Sequence, residues 1–269
     1  MARIHALVLA LPFLALSAPA QAKMLCTVVA DLASGEIVAE DGDCSTRVTP
    51  ASTFKIALAI VGFDSSFLKD AHAPTLSIEK GEPDWGGEDW RKPTDPARWL
   101  KYSVVWYSQR IAKHLGSEKF SEYVKALDYG NADVSGDPGK DNGLERSWIS
   151  SSLKISPVEQ VGFLSRFLTG RLPVGTHAVE QTIGIVEAAH LADWTVSGKT
   201  GSAFPRRKDG SFDRARGWGW FVGWATNGSR TYVFARLDQD EKRESGPGGL
   251  RARQKFLDAW PDMAKGLAK

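Results

Sequence analysis

The chain has 269 residues, enough to bury a sizeable core in one compact unit or in two closely packed lobes, and one catalytic unit is the natural reading. Its 34 Lys and Arg against 32 Asp and Glu leave a formal charge of +2, which removes the electrostatic case for nucleic acid or an anionic membrane as partner. Arg3, an apolar run from Ala6 to Leu16 and the small residues Ala18, Ala20 and Ala22 predict a cleaved secretory leader over residues 1–22, with the exported chain beginning near Lys23. No later stretch approaches the roughly 20 apolar residues a membrane span requires.

After the leader, Met24 to Asp31 and Ile37 to Glu40 flank a Ser34-Gly35 turn and predict a β-hairpin. Cys26 and Cys44 are the only cysteines, and in an oxidising compartment they can pair; the hairpin would bring Cys44 back towards Cys26, while two free buried thiols is the alternative. Ser52 to Val61 predicts a helix with Phe54, Ala57, Leu58 and Val61 on one buried face. Residues 71–96 are rich in Pro, Gly, Asp and Glu, which predicts a long surface loop carrying Trp85 and Trp90. Helical patterns follow at Trp99 to Leu115 and Ser117 to Leu127.

Ser156, Pro157 and Glu159 read as N-cap, first-turn proline and capping-box acceptor of a helix reaching Leu168. A further helix is expected from Val179 to Ala189, then strands at Trp194 to Ser202, Trp218 to Thr226 and Arg230 to Leu237. An Asn227-Gly228 turn joins the last two. An amphipathic helix over Arg251 to Trp260 closes the pattern. Strands at both ends with helices between predict an α+β fold: an antiparallel sheet built from both termini (residues 23–50 and 177–269), flanked by helices, with an inserted all-helical lobe over 51–176.

The chemistry begins with Ser52-Thr53-Phe54-Lys55. Residues three apart on a helix share a face, so the hydroxyl and amine can approach each other, and a nucleophile at a helix start gains the dipole. Ser-x-x-Lys also occurs at Ser66/Lys69, Ser77/Lys80 and Ser151/Lys154, so the pattern alone decides nothing. What discriminates is the order of further motifs after it: Ser103-Val104-Val105, Tyr129-Gly130-Asn131, Trp148-Ile149 and Lys199-Thr200-Gly201. Trp220-Phe221-Val222-Gly223-Trp224 and Arg251 then follow.

This series, spanning nearly all of the chain after the leader, resembles the class D (oxacillinase-type) serine β-lactamases of the penicillin-recognising family. The resemblance implies hydrolysis of the β-lactam ring through a Ser52 acyl-enzyme, and hence antibiotic resistance. Lys55, carbamylated by carbon dioxide, would be the general base in a pocket formed by Phe54, Val105, Trp148 and Ile149, with the Trp148 indole N–H donating to the carbamate. Ser103 would relay a proton to the lactam nitrogen, and backbone N–H groups of Ser52 and Ser202 would form the oxyanion hole. Lys199, Thr200, Gly201, Ser202 and Arg251 would bind the substrate, the first two and Arg251 at its carboxylate. The implied setting is the periplasm, with no metal and no cofactor beyond carbon dioxide or bicarbonate.

Competing patterns are weaker. Gly198-Lys199-Thr200 lacks the Gly that a phosphate loop needs at the place of Asp193. His72, His114, His177 and His190 show neither metal-ligand spacing nor a nucleophile-elbow companion. Class A is disfavoured by the lack of a Ser-Asp-Asn triplet after the first helix. A penicillin-receptor domain shares nearly all the motifs, and a leader directly before the domain favours the free enzyme. A transpeptidase or a glycan-binding module drawing on the ten tryptophans is a further alternative, and the oligomeric state is left open.

Overall fold

Continuous apolar runs in the first strand and in the last two set the frame of the molecule, because strands covered on both faces lose the polar alternation of half-exposed ones. The computed structural model describes residues 22–267; all but Ala22 of the expected leader lies outside them. In chain order the elements are β1 (Lys23–Asp31), β2 (Ile37–Gly42), α1 (Lys55–Asp64), α2 (Pro96–Tyr102), α3 (Val105–Ala126), α4 (Gly143–Arg146), α5 (Pro157–Leu168), α6 (Thr176–Ile185), β3 (Ala188–Leu191), β4 (Trp194–Ala203), β5 (Trp218–Thr226), β6 (Thr231–Gln239) and α7 (Gly248–Leu267). One sheet holds six strands in the order β2-β1-β6-β5-β4-β3, with antiparallel neighbours.

The first strand after the leader therefore lies beside the last, with Val28 opposite Ala235. One face of the sheet carries α7, where Phe221, Phe234, Phe256 and Trp260 form a small aromatic core. The opposite face carries α5 and the larger core that continues into α1, α3 and the loops between them. A disulfide joins Cys26 on β1 to Cys44, with a Cα–Cα distance of 5.1 Å. Ser156 and Glu159 form the capping box of α5, and the Asn227-Gly228 pair turns β5 into β6.

Four local expectations are corrected. The helix expected from Ser52 opens instead as a 3₁₀ turn over Ala51–Phe54, and α1 is buried on every side from Lys55 to Phe63. A helix apolar all round belongs inside a core, and α1 lies between the sheet-side turn, α3 and α6. The pattern from Trp99 to Leu115 is cut at Ser103, which adopts a left-handed backbone (φ 55°) between α2 and α3. The helix expected to reach Ala189 ends at Ile185, because Ala188 to Leu191 pairs with β4 as an edge strand. The last helix runs from Gly248 to Leu267, longer than expected at both ends.

The segment 71–96 is a loop as read, but an organised one. Leu76 and Thr94 exchange backbone hydrogen bonds, and Trp90 is buried while Trp85 stands 70% exposed. Among the described residues no helix is long and apolar enough to cross a membrane.

Candidate active site

Ser52 stands in the 3₁₀ turn, where three residues per turn eclipse positions i and i+3 and set its side chain over Lys55. The Lys55 Nζ donates to Ser52 Oγ at 3.2 Å. Ala51, just before the nucleophile, holds a positive φ of 50°, a conformation that costs an L-residue on the order of 1–3 kcal/mol. Several bonds oppose that strain. The Thr53 hydroxyl donates to the Pro50 carbonyl at 2.8 Å and accepts from Gln160 Nε2 at 2.8 Å, and the same amide nitrogen reaches the Tyr129 hydroxyl.

Lys55 is completely buried, and desolvation pushes its pKa well below the usual lysine value, with the nearby positive charge of Lys199 adding to the effect. Both effects act against the charged form of the amine. Phe54 packs on Trp148 with ring centroids 5.6 Å apart, and Phe120 stands edge-on to both at 6.1 and 6.2 Å. Val105, at the start of α3, is buried in the same core, and Ile149 packs against it half-buried. The Trp148 Nε1 is buried and has no hydrogen-bond partner among the described residues. A buried donor left without an acceptor costs about 1–3 kcal/mol, which an acceptor brought beside it would offset.

Across from the nucleophile, the left-handed backbone at Ser103 ends α2, and its hydroxyl accepts a hydrogen bond from Lys199 Nζ. Lys199 also donates to the Thr200 carbonyl at 3.3 Å. Burial lowers its pKa to about 8, and the charge of Glu187 acts in the opposite direction. Lys199 and Gly201 share one face of β4, as residues two apart on a strand do. A Cβ at Gly201 would lie 2.8 Å from the Pro50 carbonyl oxygen, so only glycine lets β4 close on the nucleophile turn.

Ser202 lies on the other face, where its hydroxyl accepts from the backbone N–H of Gly249 at 2.9 Å. The first turn of α7 presses on β4 there, since a Cβ on Gly249 would meet the Gly201 carbonyl at 2.6 Å. Arg251 follows on α7. Its Nη2 makes two 2.7 Å bonds to the Asp240 carboxylate, and its Nη1 donates to the carbonyls of Ser245 and Gly246. Tyr129 to Asn131 forms a wall: Tyr129 is buried, Gly130 has φ 59° against the Lys154 carbonyl, and the Asn131 side chain bonds the backbone of Ser152 and Lys154.

The structure thus brings Ser52, Lys55, Ser103 and Lys199 together and collects Phe54 and Trp148 beside them; it leaves Arg251 engaged with Asp240. Sequence reading missed Phe120, Gln160 and Thr49. The capping box carried a signal for Gln160, because it fixes which residues of α5 turn inward; nothing short of the fold marks Phe120. Among the described residues no cluster of three or more His, Cys, Asp or Glu side chains is placed to hold a metal.

A buried lysine over a serine hydroxyl, with a second lysine–serine pair opposite, is an arrangement that fits the class of serine acyl-transfer enzymes. A family model described as the penicillin binding protein transpeptidase domain matches residues 25–259. β-Lactamase OXA-9 of Klebsiella pneumoniae is 43% identical over 233 residues, 86% of this chain and 85% of that protein. The crystal structure of OXA-427 class D β-lactamase matches with a TM-score of 0.84 at 43% identity, covering 90% of this chain and 99% of that one. The methicillin resistance mecR1 protein of Staphylococcus aureus is 28% identical over 216 residues, 78% of this chain but 33% of that protein. The chain belongs to the penicillin-binding-protein transpeptidase family and, within it, to the class D serine β-lactamases.

Proposed function

We propose that this enzyme hydrolyses the β-lactam ring of penicillin-type antibiotics, conferring resistance, with Ser52 as nucleophile and N-carboxylated Lys55 as general base. The observation that carries the reading is a fully buried amine, bonded to the nucleophile, in an aromatic pocket whose Trp148 indole N–H has no protein acceptor. Desolvation keeps the amine neutral, and a neutral amine adds to carbon dioxide to give a carbamic acid that ionises by losing its proton. The resulting anion accepts the proton of Ser52 as its Oγ attacks the lactam carbonyl. The C–N bond then breaks, and Ser103, held by Lys199, relays that proton from the base to the lactam nitrogen, so that the base is an anion again.

In the second half, water gives a proton to the same base and attacks the ester carbonyl; the bond to Ser52 Oγ breaks, and the base passes that proton to the departing oxygen. Backbone N–H groups of Ser52 and Ser202 stabilise the oxyanion, as the close approach of β4 to the nucleophile turn favours. Lys199 and Thr200 hold the substrate carboxylate. Arg251 adds positive charge from the rim; its part is the smallest, because its Nη1 and Nη2 are already engaged. We read 23–50 with 177–269 as a sheet lobe and 51–176 as a helical lobe, with the cleft between them. Export to the periplasm rests on the leader read in residues 1–22.

Turnover of a chromogenic cephalosporin with and without bicarbonate tests the mechanism. Activity lost at low pH, or after carbon dioxide is removed, should return when bicarbonate is added. Turnover indifferent to bicarbonate removes the carbamate from the cycle.

A further inference from the structure

Thr49 lies three residues before the nucleophile, outside every motif that identifies the site, and is 3% exposed. Its hydroxyl donates to the Trp148 carbonyl at 2.9 Å and accepts from the Ser150 N–H at 3.0 Å, both buried. Its own carbonyl accepts from the Trp220 indole on β5 at 2.9 Å. One residue therefore ties three pieces together: the strand of chain entering the Ser52 turn, the segment bearing Trp148, and the sheet. Ser150 needs such a tie, since it holds φ 52° without being glycine.

We infer that Thr49 is a positioning residue for the carbamate: by gripping the main chain on both sides of Ile149, it aims the Trp148 indole N–H into the Lys55 pocket. The inference rests on the carbamate reading above. The aromatic neighbours of Trp148 hold the plane of its ring but supply no directional bond, whereas the two bonds from Thr49 fix where the ring begins. Arg206 bonds the Ser150 carbonyl at 2.9 Å and holds the segment from the far side, so loss of Thr49 would loosen it without releasing it. The chemistry demands accuracy here, because a carbamate persists only while its anionic form is stabilised against loss of carbon dioxide.

The test compares Thr49→Ser, which keeps the hydroxyl, with Thr49→Ala and Thr49→Val, which remove it. Each full-length variant is measured for the bicarbonate concentration giving half-maximal turnover, for the ¹³C signal of labelled carbamate, and for melting temperature. The Ala and Val variants should need on the order of tenfold more bicarbonate and show a weakened carbamate signal, with turnover restored at saturation; the Ser variant should stay within about twofold of wild type. Unchanged half-saturation in the Ala and Val variants, or equal shifts in Ser and Ala, overturns the positioning role even if melting temperatures fall. A wild-type enzyme indifferent to bicarbonate and without the ¹³C signal fails earlier: it overturns the carbamate reading, and the role of Thr49 with it.

Discussion

Lys55 and Lys199 are two buried lysines in one site, and their surroundings differ in kind. Lys55 opens α1 directly after Phe54, whose ring packs on Trp148 and Phe120, with Ser52 Oγ as its one hydrogen-bond acceptor among the described residues. Lys199 rises from β4 between the Ser103 hydroxyl and the Thr200 carbonyl, within reach of the charge on Glu187. Burial without a compensating charge favours the neutral form of the first amine, the form that the proposed carbamate needs. Burial with acceptors leaves the second a cation that changes state near neutral pH, at about 8. The difference is what the proposed division rests on, with base chemistry on one lysine and carboxylate binding on the other.

The sharpest way to break that division is to remove Lys55. Lys55→Ala should lower turnover about a thousandfold, the scale of a lost general base, while intact-mass measurement shows acyl-enzyme accumulating on Ser52. Turnover within tenfold of wild type would return the base role to another group. Next in size, kcat/KM for an anionic β-lactam should fall about tenfold per pH unit once pH rises past about 8, since the free-enzyme cation is then being lost. A flat profile from pH 7 to 10 would mean that the charge of Lys199 is not what the substrate meets.

The same lysine affects stability with a definite sign. Its folded pKa lies below the unfolded value, so between about 8 and 10.5 the unfolded chain binds more protons and raising pH stabilises the fold. Melting temperature should therefore rise relative to a Lys199→Met variant across that window, and a relative fall would contradict the burial. The smallest effect concerns Arg251. Arg251→Ala and Asp240→Asn should each cost about 2 kcal/mol by denaturant melt, as expected for a partly exposed, bidentate pair, with similar, minor changes in KM. A large KM increase in the arginine variant alone would show instead that it leaves Asp240 to clamp substrate.

Much of this was legible in advance for reasons that are local. The Asn227-Gly228 hairpin and the α5 capping box are encoded within a few residues, and the reading and the structure agree on them. The break at Ser103 was not legible, because Trp99 to Leu115 keeps one apolar rhythm across it. Only the fold holds a serine in a left-handed backbone there and points its hydroxyl at Lys199. The edge strand at Ala188 to Leu191 was lost for a related reason: short alanine-rich segments favour helix until a neighbouring strand offers a ladder.

By itself the sequence determined the family and the order of its motifs, since motifs read along the chain need no partner to be recognised. Tertiary structure alone decided that Lys55 is dry, that β4 closes on the Ser52 turn, that Arg251 is bound to Asp240, and that Thr49 grips the Trp148 segment. These are matters of desolvation and of distance between residues that are not neighbours in the chain, and such quantities exist only once the chain has folded.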